Sequence, residues 1–210
     1  MVQTIFAKDI SLYDLEEQFG LQLSDDDPCF AEWVSDSRST VTEQQLQALK
    51  RVRSNYLNLS KRRPMSEEAV KMVVLSPILD LAGFYQPPFT IETETPIKIS
   101  AVDEGVIVKG SIDVLVVQRQ LWILVIESYA TKFDVMTALP QALAYMLYDP
   151  KREQPVFGLL MNGREFVFVK LTAQGTPQYS LSQAFSIFLP EQDLYNVLHL
   201  LKDIGRLISP

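Results

Sequence analysis

Cysteine is almost absent from this 210-residue sequence: Cys29 is the only one. One chain can therefore assemble neither an intrachain disulfide framework nor a cysteine-based zinc site, and a reducing, cytoplasmic setting is expected. Histidine is equally scarce. His199 falls between core positions of a C-terminal helical stretch, where no partner is evident, and reads as a surface residue. Long apolar runs are missing too: the longest, Leu121 to Ile126, is far too short to span a bilayer, and the first ten residues lack the basic flank and apolar stretch of a signal peptide. Neither secretion nor a membrane partner is expected. With 8 Gly and 12 Pro the chain is neither collagen-like nor low-complexity, and it carries no GxxxxGK[ST] phosphate-binding loop.

What is present is an ordinary globular composition, 47% hydrophobic and 21% charged, with a net charge of −7. That sum counts against wholesale nucleic-acid binding, which needs a positive surface. Its distribution says more. Residues 1–49 carry 2 basic and 10 acidic groups, residues 50–63 carry 6 basic groups and no acid, and residues 64–210 carry 11 basic and 16 acidic groups. The basic segment, Lys50, Arg51, Arg53, Lys61, Arg62 and Arg63 with Tyr56 interleaved, is the best candidate for phosphate contact. Intramolecular pairing with the acidic leader explains it as well on charge arithmetic alone.

Helical periodicity marks a short helix over about 11–19, with Ser11 as its cap. A second begins near Thr42 behind the signal Thr40-Val41-Thr42-Glu43 and runs through Leu46, Leu49, Val52 and Tyr56. A third is started by Ser66-Glu67-Glu68 and ended by Gly83, with a kink or break expected near Ser76 because Pro77 falls inside it. From Phe89 the period changes to two, giving a strand to about Lys98. A second strand follows over about 106–117, interrupted near Gly110, and a central strand begins at Leu121. A helix over about 134–148, a hairpin turning at Asn162-Gly163 and a last helix from about Pro190 complete the order α-β-β-β-α-β-β-α. The expected fold class is α/β: a mixed central sheet flanked by helices. Residues 1–63 are expected to form a helical extension packed on a core domain of residues 64–210.

Two carboxylates stand out because they interrupt apolar strands. Asp113 lies in Ser111-Ile112-Asp113-Val114-Leu115, and Glu127 ends the run from Leu121 to Ile126. A half-buried carboxylate needs a cation, a metal or hydrogen bonds to stay charged. The polar turn at 118–120 lets the two approach on neighbouring strands, where they would offer a hard cation such as Mg²⁺ the oxygen ligands it takes. The plainer alternative has Glu127 reaching solvent at a strand end and Asp113 accepting local hydrogen bonds.

Glu67 or Glu68 on a helix, Gly110-Ser111-Ile112-Asp113, Val125-Ile126-Glu127-Ser128, Gln141 with Tyr145, and Met161-Asn162-Gly163-Arg164-Glu165 together resemble the PD-(D/E)xK nuclease superfamily. More closely, the chain looks like the N-terminal nuclease domain of type I restriction enzyme R subunits, in the stand-alone form found in cyanobacteria. The resemblance covers residues 66–170 by motif. It implies a restriction-endonuclease-like core of three antiparallel strands plus a further strand, flanked by helices. It also implies Mg²⁺ or Mn²⁺ held by Asp113, Glu127, the carbonyl of Ser128 and a helical acid, Glu68, with Gln141 and Tyr145 positioning the site. Without the carboxylates, that pair reads as a polar core residue beside a packed aromatic. Implied partners are DNA, a second copy of the chain for double-strand cutting, and a separate motor or specificity protein, since the helicase motor of full restriction subunits is missing here.

One departure is serious. The family's motif is Glu-x-Lys, and here Tyr129 stands in the lysine's place. A positioned proton-transfer group is worth about 10²–10⁴-fold in rate, so catalysis is expected to be weak or lost unless another lysine serves. Lys132 and Lys109 are the two candidates, the latter sharing the strand parity of Asp113. A solvated side chain is the plainer reading of each. The chain is thus read as a nuclease-like protein, either a metal-dependent endonuclease with a relocated lysine or a non-catalytic DNA-binding or interaction module.

Overall fold

The structure, a computed structural model, describes residues 3–24, 41–100, 106–118, 121–128, 130–148, 154–172, 175–189 and 192–207. Strand β1 (Gln3–Phe6) leads through a 3₁₀ turn into helix α1 (Leu12–Phe19), whose Ser11 and Asp14 cap each other reciprocally before strand β2 (Gln22–Leu23). Helix α2 (Glu43–Leu59) is capped by Thr42 with Gln45 at the third helical position, a box set two residues beyond the Thr40 signal read from the sequence. It buries Leu49, Val52 and Tyr56. Helix α3 (Glu67–Val70), capped by Ser66, continues without a break through a π-helical turn over Lys71–Leu75 into helix α4 (Ser76–Ala82). That wide turn is where the sequence predicted a kink. Pro77 has no N–H to donate, and the π turn lets Ser76 bond back to Lys71 instead of interrupting the helix.

Strands β3 (Phe89–Ser100), β4 (Val106–Gln118) and β5 (Leu121–Ser128) then form an antiparallel meander. A 3₁₀ turn (Val135–Ala138) runs into helix α5 (Leu139–Met146). Strand β6 (Val156–Met161) lies parallel to β5, and β7 (Glu165–Thr172) antiparallel to β6. Asn162 makes their turn, its side-chain oxygen accepting the N–H groups of Arg164 and Glu165 while Gly163 takes a φ of +78°. Strands β8 (Gln178–Leu181) and β9 (Phe185–Ser186), not foreseen in the sequence, precede helix α6 (Gln192–Leu207).

The fold is a mixed α/β one, and the core order is that implied by the resemblance. The sheet runs β1-β4-β5-β6-β7-β8-β2, with β3 on β4 and β9 on β7. The leader therefore differs from the expected helical extension: β1 pairs in parallel with β4, and β2 with β8. Helices α2, α3, α4 and α6 cover one face around Val70, Val74, Phe157, Phe168 and Leu198. Helices α1 and α5 cover the other around Leu15, Leu143, Leu160 and Val169. His199 also departs from its reading as a surface residue. It is 6% exposed, and its Nδ1 lies 2.8 Å from Asp203 Oδ2, one helical turn away.

One irregularity positions everything that follows. Strand β4 pairs with β3 along one edge, so β1 and β5 must share the other. β1 occupies it at Val106–Lys109 and β5 only from Val114 onward, leaving residues 110–113 without a strand neighbour on that edge among the described residues. At the same level the strands exchange faces. Val108 and Ile112 pack towards α5, but so do Leu115 and Val117, while Val114 and Val116 face α4 and α6. The alternation slips at Asp113, opposite Glu94, whose φ is +51°, with no change of register. The interruption expected at Gly110 is thus three residues further on.

Candidate active site

The gap in the sheet is filled by side chains. Tyr145, from α5, accepts the N–H of Ser111 and donates to its carbonyl, both at 3.1 Å, replacing the strand that is missing there. Gly110 permits this, because a Cβ at that position would overlap the Tyr145 hydroxyl. Gln141, one turn earlier, donates to Tyr145 Oη at 3.2 Å and to Glu127 Oε2 at 2.9 Å. The QxxxY pair therefore ties the floor of the gap to the end of β5.

Glu127 is 1% exposed and does not reach solvent, contrary to the plainer alternative read from the sequence. Its Oε1 is buried without a hydrogen-bond partner among the described residues. Burial pushes its pKa well above the usual carboxylate value, the neighbouring Asp113 charge adds to the rise, and the Asp113 main-chain N–H and Lys71 offset it only in part. Burial likewise raises the Tyr145 hydroxyl, helped by the Glu127 charge.

Asp113 meets a lysine that the sequence reading did not name. Lys71, first residue of the π turn, places its ammonium 3.1 Å from Asp113 Oδ1, 2.7 Å from Glu67 Oε1 and 3.5 Å from Glu94 Oε1. Burial opposes its charge, but the bond to Glu67 and the attraction of Asp113 outweigh that and hold its pKa above the ordinary lysine value. These groups line a cleft of about 450 Å³ whose apolar wall includes Met72, Leu75, Tyr85 and Ile91. Glu67 i,i+4 to Lys71 was the one signal available in the sequence, and by itself it reads as an exposed helix pair.

The other predicted residues lie elsewhere. Lys109 is exposed on β4 opposite Lys98. Lys132 Nζ lies 4.9 Å from the centre of the Phe133 ring. Glu68 lines the cleft but is fully exposed, its carboxylate held below the usual range by its own main-chain N–H and Ser66. Ser128 ends β5 opposite Met161, and Tyr129 lies outside the described residues. The six cations of residues 50–63 do not form one face. Lys50 and Arg53 line a groove towards Leu194 of α6, Arg51 one towards Pro77 and Asp80 of α4, and residues 61–63 lie past the end of α2. Arg53 is occupied by the carbonyls of Ile187 and Phe188.

As a cation site the donor chemistry fits. Two carboxylates of adjacent strands lie close enough for the charge of Asp113 to act on Glu127, and one buried oxygen of Glu127 lacks a partner among the described residues. Among the described residues no group of three or more His, Cys, Asp or Glu is placed to hold a metal ion by itself, so waters and main-chain oxygen would have to complete a shell.

No protein-family model matches the chain, and no curated protein matches it in sequence. Among solved structures it is similar to a chain of a DrdV–DNA complex determined by cryo-EM, with a TM-score of 0.46 and 14% identity over 75% of this chain and 96% of that one. It is also similar to a fragment described as an HsdR subunit of a type I restriction enzyme from Vibrio vulnificus YJ016, with a TM-score of 0.40 and 20% identity over 68% of this chain. The match spans about a quarter, 26%, of that second chain.

Proposed function

We propose that the chain is a Mg²⁺- or Mn²⁺-dependent DNA endonuclease of the restriction-endonuclease-like type, in which Lys71 supplies the positive charge missing from Glu127-Ser128-Tyr129. The observation that carries this reading is the 3.1 Å contact of Lys71 with Asp113 beside buried Glu127. Asp113 and Glu127 would hold the cation, which supplies an activated water and polarises a phosphate oxygen when bound. Lys71 carries a charge that Glu67 and Asp113 keep protonated, aimed where negative charge grows on the phosphate. Gln141 orients Glu127, and Tyr145 keeps the strand gap from collapsing.

A second reading is favoured by the same ion pairs. Lys71 already neutralises Asp113 and Glu67, as it would in a lapsed site kept for DNA binding. Plasmid cleavage with Mg²⁺ or Mn²⁺ separates the two. Under the first reading the native protein cuts, Asp113→Ala does not, and Lys71→Met is slower by about 10²–10⁴-fold. A native protein that binds DNA without cutting it, and gains cleavage on Tyr129→Lys, makes the second reading the right one.

A further inference from the structure

A second cleft, of about 620 Å³, lies on the other side of α3 from the acidic one, and its chemistry is opposite. It is lined by Arg63, Met65, Ser66, Ala69, Ala130 and Lys132 among others, with two cations and no acid among the described residues. Among the described residues the acidic cleft holds Glu67, Glu68, Glu94 and Asp113 against a single cation, Lys71. A main-chain bond from Thr131 N–H to the Met65 carbonyl joins the two segments that carry the cations. The Asn162 amide holds the following loop by donating to the Phe133 carbonyl at 2.9 Å. Arg63 and Lys132 are both exposed, and the ring of Phe133 beside Lys132 is 44% exposed.

We infer that this cleft is a phosphate subsite, in which Arg63 and Lys132 grip the DNA backbone next to the phosphate presented to Asp113. The inference rests on the endonuclease reading and deepens it by naming the strand's path. No acid lines the cleft among the described residues, and both cations are exposed where they can displace condensed counterions from a phosphate. Ser66 and Ala69 face the cleft while Glu67 and Lys71 face the acidic site, so the two are separated by the width of one helix, about 10–12 Å with side chains. One strand crossing α3 reaches both. Lys132 thus acts as a backbone-positioning residue, not as the relocated catalytic lysine, and the contact carries no base specificity.

The test is binding of a short labelled DNA duplex in Ca²⁺ across a salt series, for the native protein, Arg63→Ala, Lys132→Ala and the exposed control Lys98→Ala. Each cleft variant is expected to flatten the slope of log K against log salt by about 1, equally for unrelated sequences, with the control unchanged. Native-like slopes and affinities in both variants, with unchanged melting temperatures, overturn the subsite while leaving the endonuclease reading standing. A native protein that binds no DNA at any salt overturns that reading, and the subsite with it.

Discussion

Glu127 carries an unusual burden for one residue. A carboxylate with 1% exposure and an unpartnered oxygen is stabilised by a proton when no cation is near. Its folded pKa is raised above the value of 4.5 it has when exposed, so between the two values the folded state holds a proton that the unfolded state has lost. The stability from that proton is fully present below about pH 4.5 and is lost as pH rises towards the folded value. In EDTA, urea unfolding of the native protein is therefore expected to show a contribution declining upward from about pH 4.5, and Glu127→Gln to flatten it. Identical pH profiles for the two proteins would mean that Glu127 titrates normally.

The elements around the gap depend on each other through close contacts. Tyr145 satisfies both main-chain groups of Ser111, and losing a partner to such groups costs about 1–3 kcal/mol when they stay dry. Tyr145→Phe should therefore lower unfolding free energy by that order. Gly110→Ala should cost about 1–3 kcal/mol for a different reason, overlap of the new Cβ with the Tyr145 hydroxyl and the Ala7 side chain. Since Tyr145→Phe removes part of that overlap, the two losses are expected to be less than additive in a double-mutant cycle. Additive losses would show that helix α5 and strand β4 do not meet through this hydroxyl. At the same scale, Gly163 lets the β6–β7 turn approach Val70, where a Cβ would come within 2.9 Å, and so helps set where α3 delivers Lys71.

At the scale of the whole molecule, the leader and the core share one sheet and one set of cores. Strand β1 covers part of an edge of β4, Leu15 and Leu21 lie in the core under α5, and Leu49, Val52 and Tyr56 lie in the core under α4 and α6. Removing residues 1–63 strips both faces and unpairs strand edges, which invites edge-to-edge association. A chain beginning at residue 64 is expected to aggregate or lose cooperative unfolding by circular dichroism. A soluble monomer with a native-like melt would restore the leader to the status of an appendage. No helix among the described residues is long and apolar enough to cross a membrane.

Local interactions were legible in the sequence because they act over a few residues. The caps at Ser11 and Ser66, the Asn162-Gly163 turn, the strand periods and the spacing of Gln141 and Tyr145 all belong to that class. So does the oddity of Asp113 and Glu127 in apolar strands. The strand gap, the face exchange at Asp113 and the identity of the lysine were not legible, because each depends on which distant segments share an edge or a face. Lys71 does not stand out at its i,i+4 spacing from Glu67, and Lys132 reads most plainly as a solvated side chain, reaching Glu127 only if the chain turns inward after β5. Only the packing of α3 across the gap, fixed by Val70 in the core and by the turn at Gly163, sets Lys71 against Asp113 and sends Lys132 to the opposite side of the helix. Sequence spacing determines which side chains share an element; the burial of apolar faces decides which elements bring their charges together.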